Sequence, residues 1–409
     1  MKTQFLSAAN KLFFLVAVWM NVLPALCAQK FGESCYYYLG DYPNQPPNPG
    51  WQQDVQGVAH DRDHWFITQE RKIWKFPVGY DLYSTREGTP GVITRSLCDA
   101  TNLCMCVPDF FSPEFWKCQT GYNHFGDPEC YETNGQTFLL VPVERQPLHP
   151  AIALFRADSL AYVDHADLDQ QIQAPWCAVD PQGNVYTSNF DVNNDNPIRK
   201  YTVDWNRVIA SRELRLTLTN SFWLTNDSGT FMTLSNVQGG VITPSGILLY
   251  LVSGYNGQRH ESDDGIHVFD LASGRRVKRS TLGFGSFNFE FDPTGVIQEE
   301  PEGLTFWDLD DGRAPGISGQ LHVLLLDNDY GDPDDVYFKH YAGILHVDPS
   351  YSGPEVGSHP QHFNTVNEAN NLIWDDAQIT IKSGSYPEAL TFSKRIAVVS
   401  SGGPVTIGR

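Results

Sequence analysis

The 409-residue sequence predicts an all-β protein: a β-propeller of five blades, followed by a short β-helix-like tail. A sixth blade stays open, built from residues 217–236 or from the two ends of the chain. Three observations carry this. Residues 175–203, PWCAVDPQGNVYTSNFDVNNDNPIRKYTV, read as strand, tight turn, strand, polar loop and strand: apolar 176–179 ends at Asp180, Pro181-Gln182-Gly183-Asn184 supplies turn chemistry, 185–187 is β-rich, and 198–203 alternates apolar with polar. The same order recurs along the chain, and isolated sheets of this kind could not cover both apolar faces, so the units must close radially. After Gly353 the pattern changes to short strands at close spacing, each ended by Gly or Ser.

A hydrophobic fraction of 41% with 13% aromatics supplies a large core. The formal charge of −20 argues against nucleic acid or an anionic membrane surface as partner, because both select clustered Lys and Arg. Lys2 and Lys11 precede the apolar run 12–20, and Val22-Leu23-Pro24-Ala25-Leu26-Cys27-Ala28 follows, the layout of a secretory signal peptide cleaved near Ala28. The run is shorter than the ~20 apolar residues of a spanning helix, so no transmembrane segment is expected once 1–28 are removed. The expected location is secreted, periplasmic or cell-surface.

Residues 29–55 contain Pro43-Asn44-Gln45-Pro46-Pro47-Asn48-Pro49-Gly50, too rich in Pro and Gly for regular structure, and read as a surface lead-in to a propeller over 56–353. The first blade takes strands at 57–59, 65–68 and 72–76. A cysteine-rich insertion spans 98–130 with Cys98, Cys104, Cys106, Cys118 and Cys130. In an exported chain these, with Cys35, read as disulfides; a metal site at Cys104-Met105-Cys106 is the competing reading, though its spacing is C-x-C. Cys177 lies in an apolar strand and reads as a buried thiol. The second blade uses 124–127, 137–143, 151–155 and 160–163; the third is the reference unit, closed by an outer strand over 208–216. The fourth uses 237–242, 247–252 and 265–271, and the fifth 302–307, 320–326, 336–341 and 344–347.

Over 354–409, Ala377-x-Ile379-x-Ile381, Gly384-Ser385-Tyr386-Pro387-Glu388, Leu390-Thr391-Phe392 and Gly402-Gly403-Pro404-Val405-Thr406-Ile407-Gly408 follow one another. That order resembles the first rungs of right-handed parallel β-helices of the pectin-lyase type. The catalytic residues of that family lie in later rungs, so the resemblance implies no lyase activity. The propeller, through its blade repeat and Glu302-Gly303-Leu304 at an inner strand, resembles exported bacterial propellers of the helveticin type and, more distantly, calcium-dependent lactonase and phytase-like propellers. The latter resemblance implies Glu302 as an inner metal ligand.

Blade topology places the start of each inner strand and the loop between second and third strands on one face of the disc. Gln56, His124, Trp176, Gln238 and Glu302 are therefore expected around a central channel, as a polar and aromatic pocket for a carbohydrate or cell-surface ligand. An indole at an inner-strand start can stack on a pyranose ring, or else fill the space between blades. Asp191 and Asp195 in one loop, and Asp327, Asp329 and Asp332 in another, have the alternating hard-oxygen composition that suits calcium. Asp61 and Asp180 read as turn residues. There is no G-x-S-x-G, H-E-x-x-H or P-loop motif, and no G-x-G-x-x-G opening a helix. The expected function is ligand binding on the channel face; the alternatives are a calcium-dependent hydrolase of the lactonase or phosphoesterase type and a structural module of the cell envelope.

Overall fold

A computed structural model describes residues 36–47, 49–97, 106–108, 116–118, 122–145, 149–254, 264–279, 289, 299–327, 334–353, 355, 357, 361–373, 377–394 and 396–408. Its first strand, β1 (Tyr37–Asn44), belongs to the last blade. Blade 1 is β2 (Val55–His60), β3 (His64–Gln69), β4 (Lys72–Pro77) and β5 (Ile93–Ser96). A small antiparallel pair follows, β6 (Cys106–Pro108) with β7 (Trp116–Cys118), in which Cys106 stands opposite Cys118.

In blade 2 the inner strand is broken into β8 (Tyr122–Phe125) and β9 (Glu129–Thr133). Both pair with the long β10 (Gln136–Arg145), and β11 (Ala151–Arg156) and β12 (Tyr162–Asp167) lie outside it. Blade 3 is β13 (Ala178–Val179), β14 (Val185–Thr187), β15 (Ile198–Val203) and, after helix α1 (Trp205–Ser211), β16 (Leu216–Phe222). Blade 4 is β17 (Val237–Ile242), β18 (Leu248–Ser253), β19 (Gly265–Asp270) and β20 (Arg276–Arg279). Blade 5 is β21 (Glu299–Phe306), β22 (Leu321–Asp327), β23 (Asp335–Ala342) and β1.

The ring closes through its core. Five buried apolar clusters stand one between each pair of neighbouring blades, including one between blades 5 and 1 built on Trp51, Trp65, Trp74, Trp307 and Phe338. Turn chemistry follows the sequence: Asp180 accepts from the backbone N–H of Gln182 (3.0 Å) and Asn184 (2.9 Å), and Asp61 accepts from those of Asp63 (2.8 Å) and His64 (2.7 Å).

The structure departs from the sequence reading at three places in the ring. Part of the lead-in, 37–44, is a strand that takes in Pro43 and Asn44 of the Pro/Gly stretch: it pairs antiparallel with β23, and Lys339 Nζ lies 3.2 Å from Asp41 Oδ1 beneath it. Pro43 is tolerated because this outermost strand needs no N–H toward solvent. The outer strand of blade 3 is 216–222 rather than 208–216, since Asp204 caps a helix by accepting from Arg207 N (3.1 Å). That placement also removes 217–236 as a sixth blade.

In the tail, β24 (Ile344–Val347), β25 (Gln378–Tyr386) and β26 (Ala397–Ile407) form a parallel sheet, with α2 (Val366–Leu372) between the first two. Residues 344–347 therefore open this sheet instead of completing blade 5. The tail has its own core around Leu345, Val366, Ile379, Ile381 and Tyr386. Among the described residues no helix is long and apolar enough to cross a membrane.

Candidate functional site

The channel is organised by glycines. Gln56, Gln238 and Glu302 are each the extra residue of a β-bulge in their inner strand, the register shifting between Val55 and Gly57, Val237 and Gly239, and Pro301 and Gly303. A bulge re-aims its side chain and bends the strand. The glycine that follows has no room for a side chain: a Cβ on Gly303 would come 2.5 Å from Gly57 Cα, and one on Gly239 would come 2.8 Å from Gly303 Cα. Three inner strands thus meet on the axis.

What they meet around is Asp127, in the break between β8 and β9. It is wholly buried, and its carboxyl accepts from Val58 N (3.0 Å), Gly240 N (3.0 Å) and Leu304 N. Its backbone N–H donates to Pro175 O (2.8 Å) and its carbonyl accepts from Cys177 N (3.1 Å), so one residue of blade 2 is bonded to every other blade. Burial pushes its carboxyl well above the usual range despite those donors. Asp127 plugs the channel and leaves two mouths.

On the channel face the sequence-predicted residues come together in two sets. His124 Nε2 and Gln56 Oε1 are hydrogen-bond partners across blades 1 and 2. Gln238 Nε2 donates to Glu300 Oε2 (3.1 Å) and Glu302 Oε1 (3.2 Å) across blades 4 and 5, and the two carboxyls hydrogen-bond each other. Burial holds His124 down to about 4, helped by the charge of Arg71. Burial, then the neighbouring Glu300, pushes Glu302 well above the carboxylate range. Both shifts favour the uncharged forms, so the mouth is polar with its charge at these two groups suppressed.

Trp176 is the exception. Its indole is fully buried, donates to Ser188 Oγ (3.0 Å) and packs so closely on Gly240 that a Cβ there would lie 2.3 Å from the ring. It belongs to the core between blades 3 and 4: it stands before β13, in a bridge to Asp127 and not at a bulge. Two residues on this face were not singled out by the sequence. Glu300 precedes the bulge of blade 5. Glu144 stands opposite His124 at the channel-side end of β10. The Glu144 carboxyl is pushed up to about 7 by burial; it accepts from Ala174 N, and its Oε1 is buried with no hydrogen-bond partner among the described residues.

Of the two acidic loops, 191–195 is described throughout, and the second is described only at its two ends. Asp191 and Asp195 are exposed, and their loop is closed on itself by Asn193 Oδ1, which accepts from Asp195 N (2.9 Å) and Asn196 N (3.0 Å). Asp327 is buried at the end of β22; Asp329 and Asp332 lie outside the described residues. Among the described residues no group of three or more His, Cys, Asp or Glu is placed to hold a metal ion. Cys130, expected in a disulfide, is a free thiol in β9, and Cys177 is free and buried as expected. Cys35, Cys98 and Cys104 lie outside the described residues.

No protein-family model matches this chain, and no curated protein matches it in sequence. Among solved structures it is similar to the GH43_1 enzyme from Xanthomonas citri complexed with xylotriose, at 10% identity and a TM-score of 0.42, covering 74% of this chain and 90% of that one. It is also similar to a thermostable family-43 glycoside hydrolase (14% identity, TM-score 0.39, 73% and 91% covered). A gluconolactonase from Xanthomonas campestris aligns at 14% identity and a TM-score of 0.32, over 78% and 93% of the two chains. Likenesses this distant say nothing about chemistry; the chain is a five-bladed β-propeller on the evidence of its own sheets and the clusters between them.

Proposed function

We propose that this propeller is exported and binds a neutral, hydroxyl-rich ligand, a carbohydrate, at the channel face. The observation that carries the reading is the convergence of Gln56, His124, Gln238, Glu300 and Glu302 on one axis, with His124 and Glu302 kept uncharged by burial. Amides, a neutral imidazole and a protonated carboxyl offer both donors and acceptors, which is what sugar hydroxyls require; a site built for a strongly charged ligand would leave these groups ionised. Glu144 Oε1 adds a buried acceptor with no donor among the described residues.

A glycan array on the mature protein tests this. Wild type should bind a defined set of glycans, and Gln56→Ala and Gln238→Ala should each weaken binding about tenfold, the loss of one or two hydrogen bonds, while leaving the melting temperature nearly unchanged. An array with no ligand would leave the structural, cell-envelope reading in its place. Export is tested on the same preparation, whose N-terminus should begin near Gln29.

A second reading, a calcium-dependent hydrolase, is favoured by one observation: Glu300 and Glu302 lie side by side with Gln238, three oxygen-bearing side chains at one point. A calcium ion would displace the proton that burial favours on Glu302. Calcium at about 100 times its Kd should raise stability by about 2.7 kcal/mol, reversed by chelator. An unchanged melting midpoint in both conditions would remove this reading.

A further inference from the structure

The mouth on the other side of Asp127 has different chemistry. There the inner strands end at His60, Val179, Ile242 and Phe306, and they enclose a funnel of about 250 Å³. Its walls are largely apolar, with Val179, Val241 and Phe306 among them. His60 forms part of the wall but offers nothing inward: its two ring nitrogens lie 2.8 Å from Asp61 O and 2.6 Å from Phe306 O, and the ring stacks on Trp307. The Asp180 carboxylate is taken up by Gln182, Asn184 and Tyr186.

Glu129 is different. It lines the funnel from β9, and its Oε1 accepts from Cys130 N (2.9 Å), a single hydrogen bond for a carboxyl with about four acceptor positions. It is half-buried at the funnel wall, and desolvation pushes it up to about 8. Among the described residues no cation bonds to it. The side chain needs a proton or an external positive charge, and the apolar walls suit an alkyl chain behind that charge.

We infer that this funnel is a second binding site, independent of the channel face, which takes a small organic ammonium ion with its head on Glu129 and its alkyl part against Val179, Val241 and Phe306. The free thiol of Cys130, next in sequence and turned to the blade 1–2 side of the same funnel, reports occupancy.

The test uses the full mature chain at about pH 8, where Glu129 is partly ionised. Methyl methanethiosulfonate, a small neutral reagent, is applied alone or with butylammonium, 1-butanol or butyrate, and modification of Cys130 and Cys177 is followed by peptide mass spectrometry. Butylammonium at saturation should slow the modification of Cys130 about tenfold, while the neutral and anionic analogues should not. Glu129→Gln should keep the unprotected rate, which shows the funnel intact, and lose the protection. Equal protection by 1-butanol would overturn the inference, as would protection that persists in Glu129→Gln or is absent with all three compounds. A Cys130 no more reactive than the buried Cys177 would mean that the funnel is closed, and would overturn it too.

Discussion

Asp127 is where single-residue chemistry has the largest consequence. Three backbone N–H groups from three blades end on its carboxyl, and replacing it by alanine leaves them buried without acceptors. Each orphaned donor costs about 1–3 kcal/mol, so Asp127→Ala should destabilise by roughly 3 kcal/mol or more, read as a lower urea midpoint. Asp127→Asn keeps one acceptor oxygen and should lose less. A change within about 0.5 kcal/mol for Asp127→Ala would mean that the hub is not what holds the strands together. Nothing in the local sequence Phe125-Gly126-Asp127-Pro128 marks this role, since Asp before Pro reads as an ordinary turn. Gln56, Gln238 and Glu302 were legible at the same scale because each precedes a glycine at the start of an apolar run, a local signature of a bulge. Trp176 occupies the same place in its blade by sequence order but lacks the bulge, and it points into the core.

Among the elements, β1 was hidden by composition and revealed by pairing. Prolines and glycine dominate 43–50, yet the preceding Tyr36-Tyr37-Tyr38 is strand-rich, and closure needs a fourth strand beside β23. The join is made of buried groups. Tyr36 packs edge-on against Tyr250 and also meets Phe306, His340 Nε2 lies 2.6 Å from Tyr42 O, and Gln45 N donates to Val336 O (3.0 Å). Tyr36→Ala removes a fully buried ring from the cluster between blades 4 and 5 and should cost about 3–5 kcal/mol in urea denaturation. A loss of less than about 1 kcal/mol would mean that the N-terminal strand does not close the ring. The tail was legible only as a change of pattern after Gly353: β25 and β26 run through Gly384 and Gly402-Gly403, which read as strand ends, and α2 was not read at all. Its first strand, 344–347, was placed in blade 5 because by sequence it is compatible with either sheet.

At the scale of the whole molecule, buried titratable groups set a pH dependence with two opposing parts. His124 and His340 are both held down to about 4 by burial, so as pH falls from about 6.5 toward 4 the unfolded chain takes up protons that the folded chain does not, and stability falls. Glu129, pushed up to about 8, and Glu144, pushed up to about 7, act the other way. Their contribution is fully present below about 4.5 and is lost as pH rises through their folded values. Above about pH 6.5 the histidines add nothing further and the carboxyls act alone. Urea stability should therefore decline between about pH 6.5 and 8, and Glu129→Gln should flatten that decline. A rise over the same interval in wild type would contradict these assignments.

The blade repeat, the turn aspartates and the bulged Gln and Glu positions follow from short-range rules: alternation along a strand, side-chain capping of a tight turn, and glycine where backbones crowd. Such rules act over a few residues, and so they can be read along the chain. Closure by β1, the Asp127 hub, the burial of Trp176 and the two unlike mouths arise only when distant segments meet. Asp127 is 69 residues from Val58 and 113 from Gly240, and Lys339 is 298 from Asp41. Pairings at that range depend on how five sheets pack around one axis, and no local pattern of residues encodes that packing.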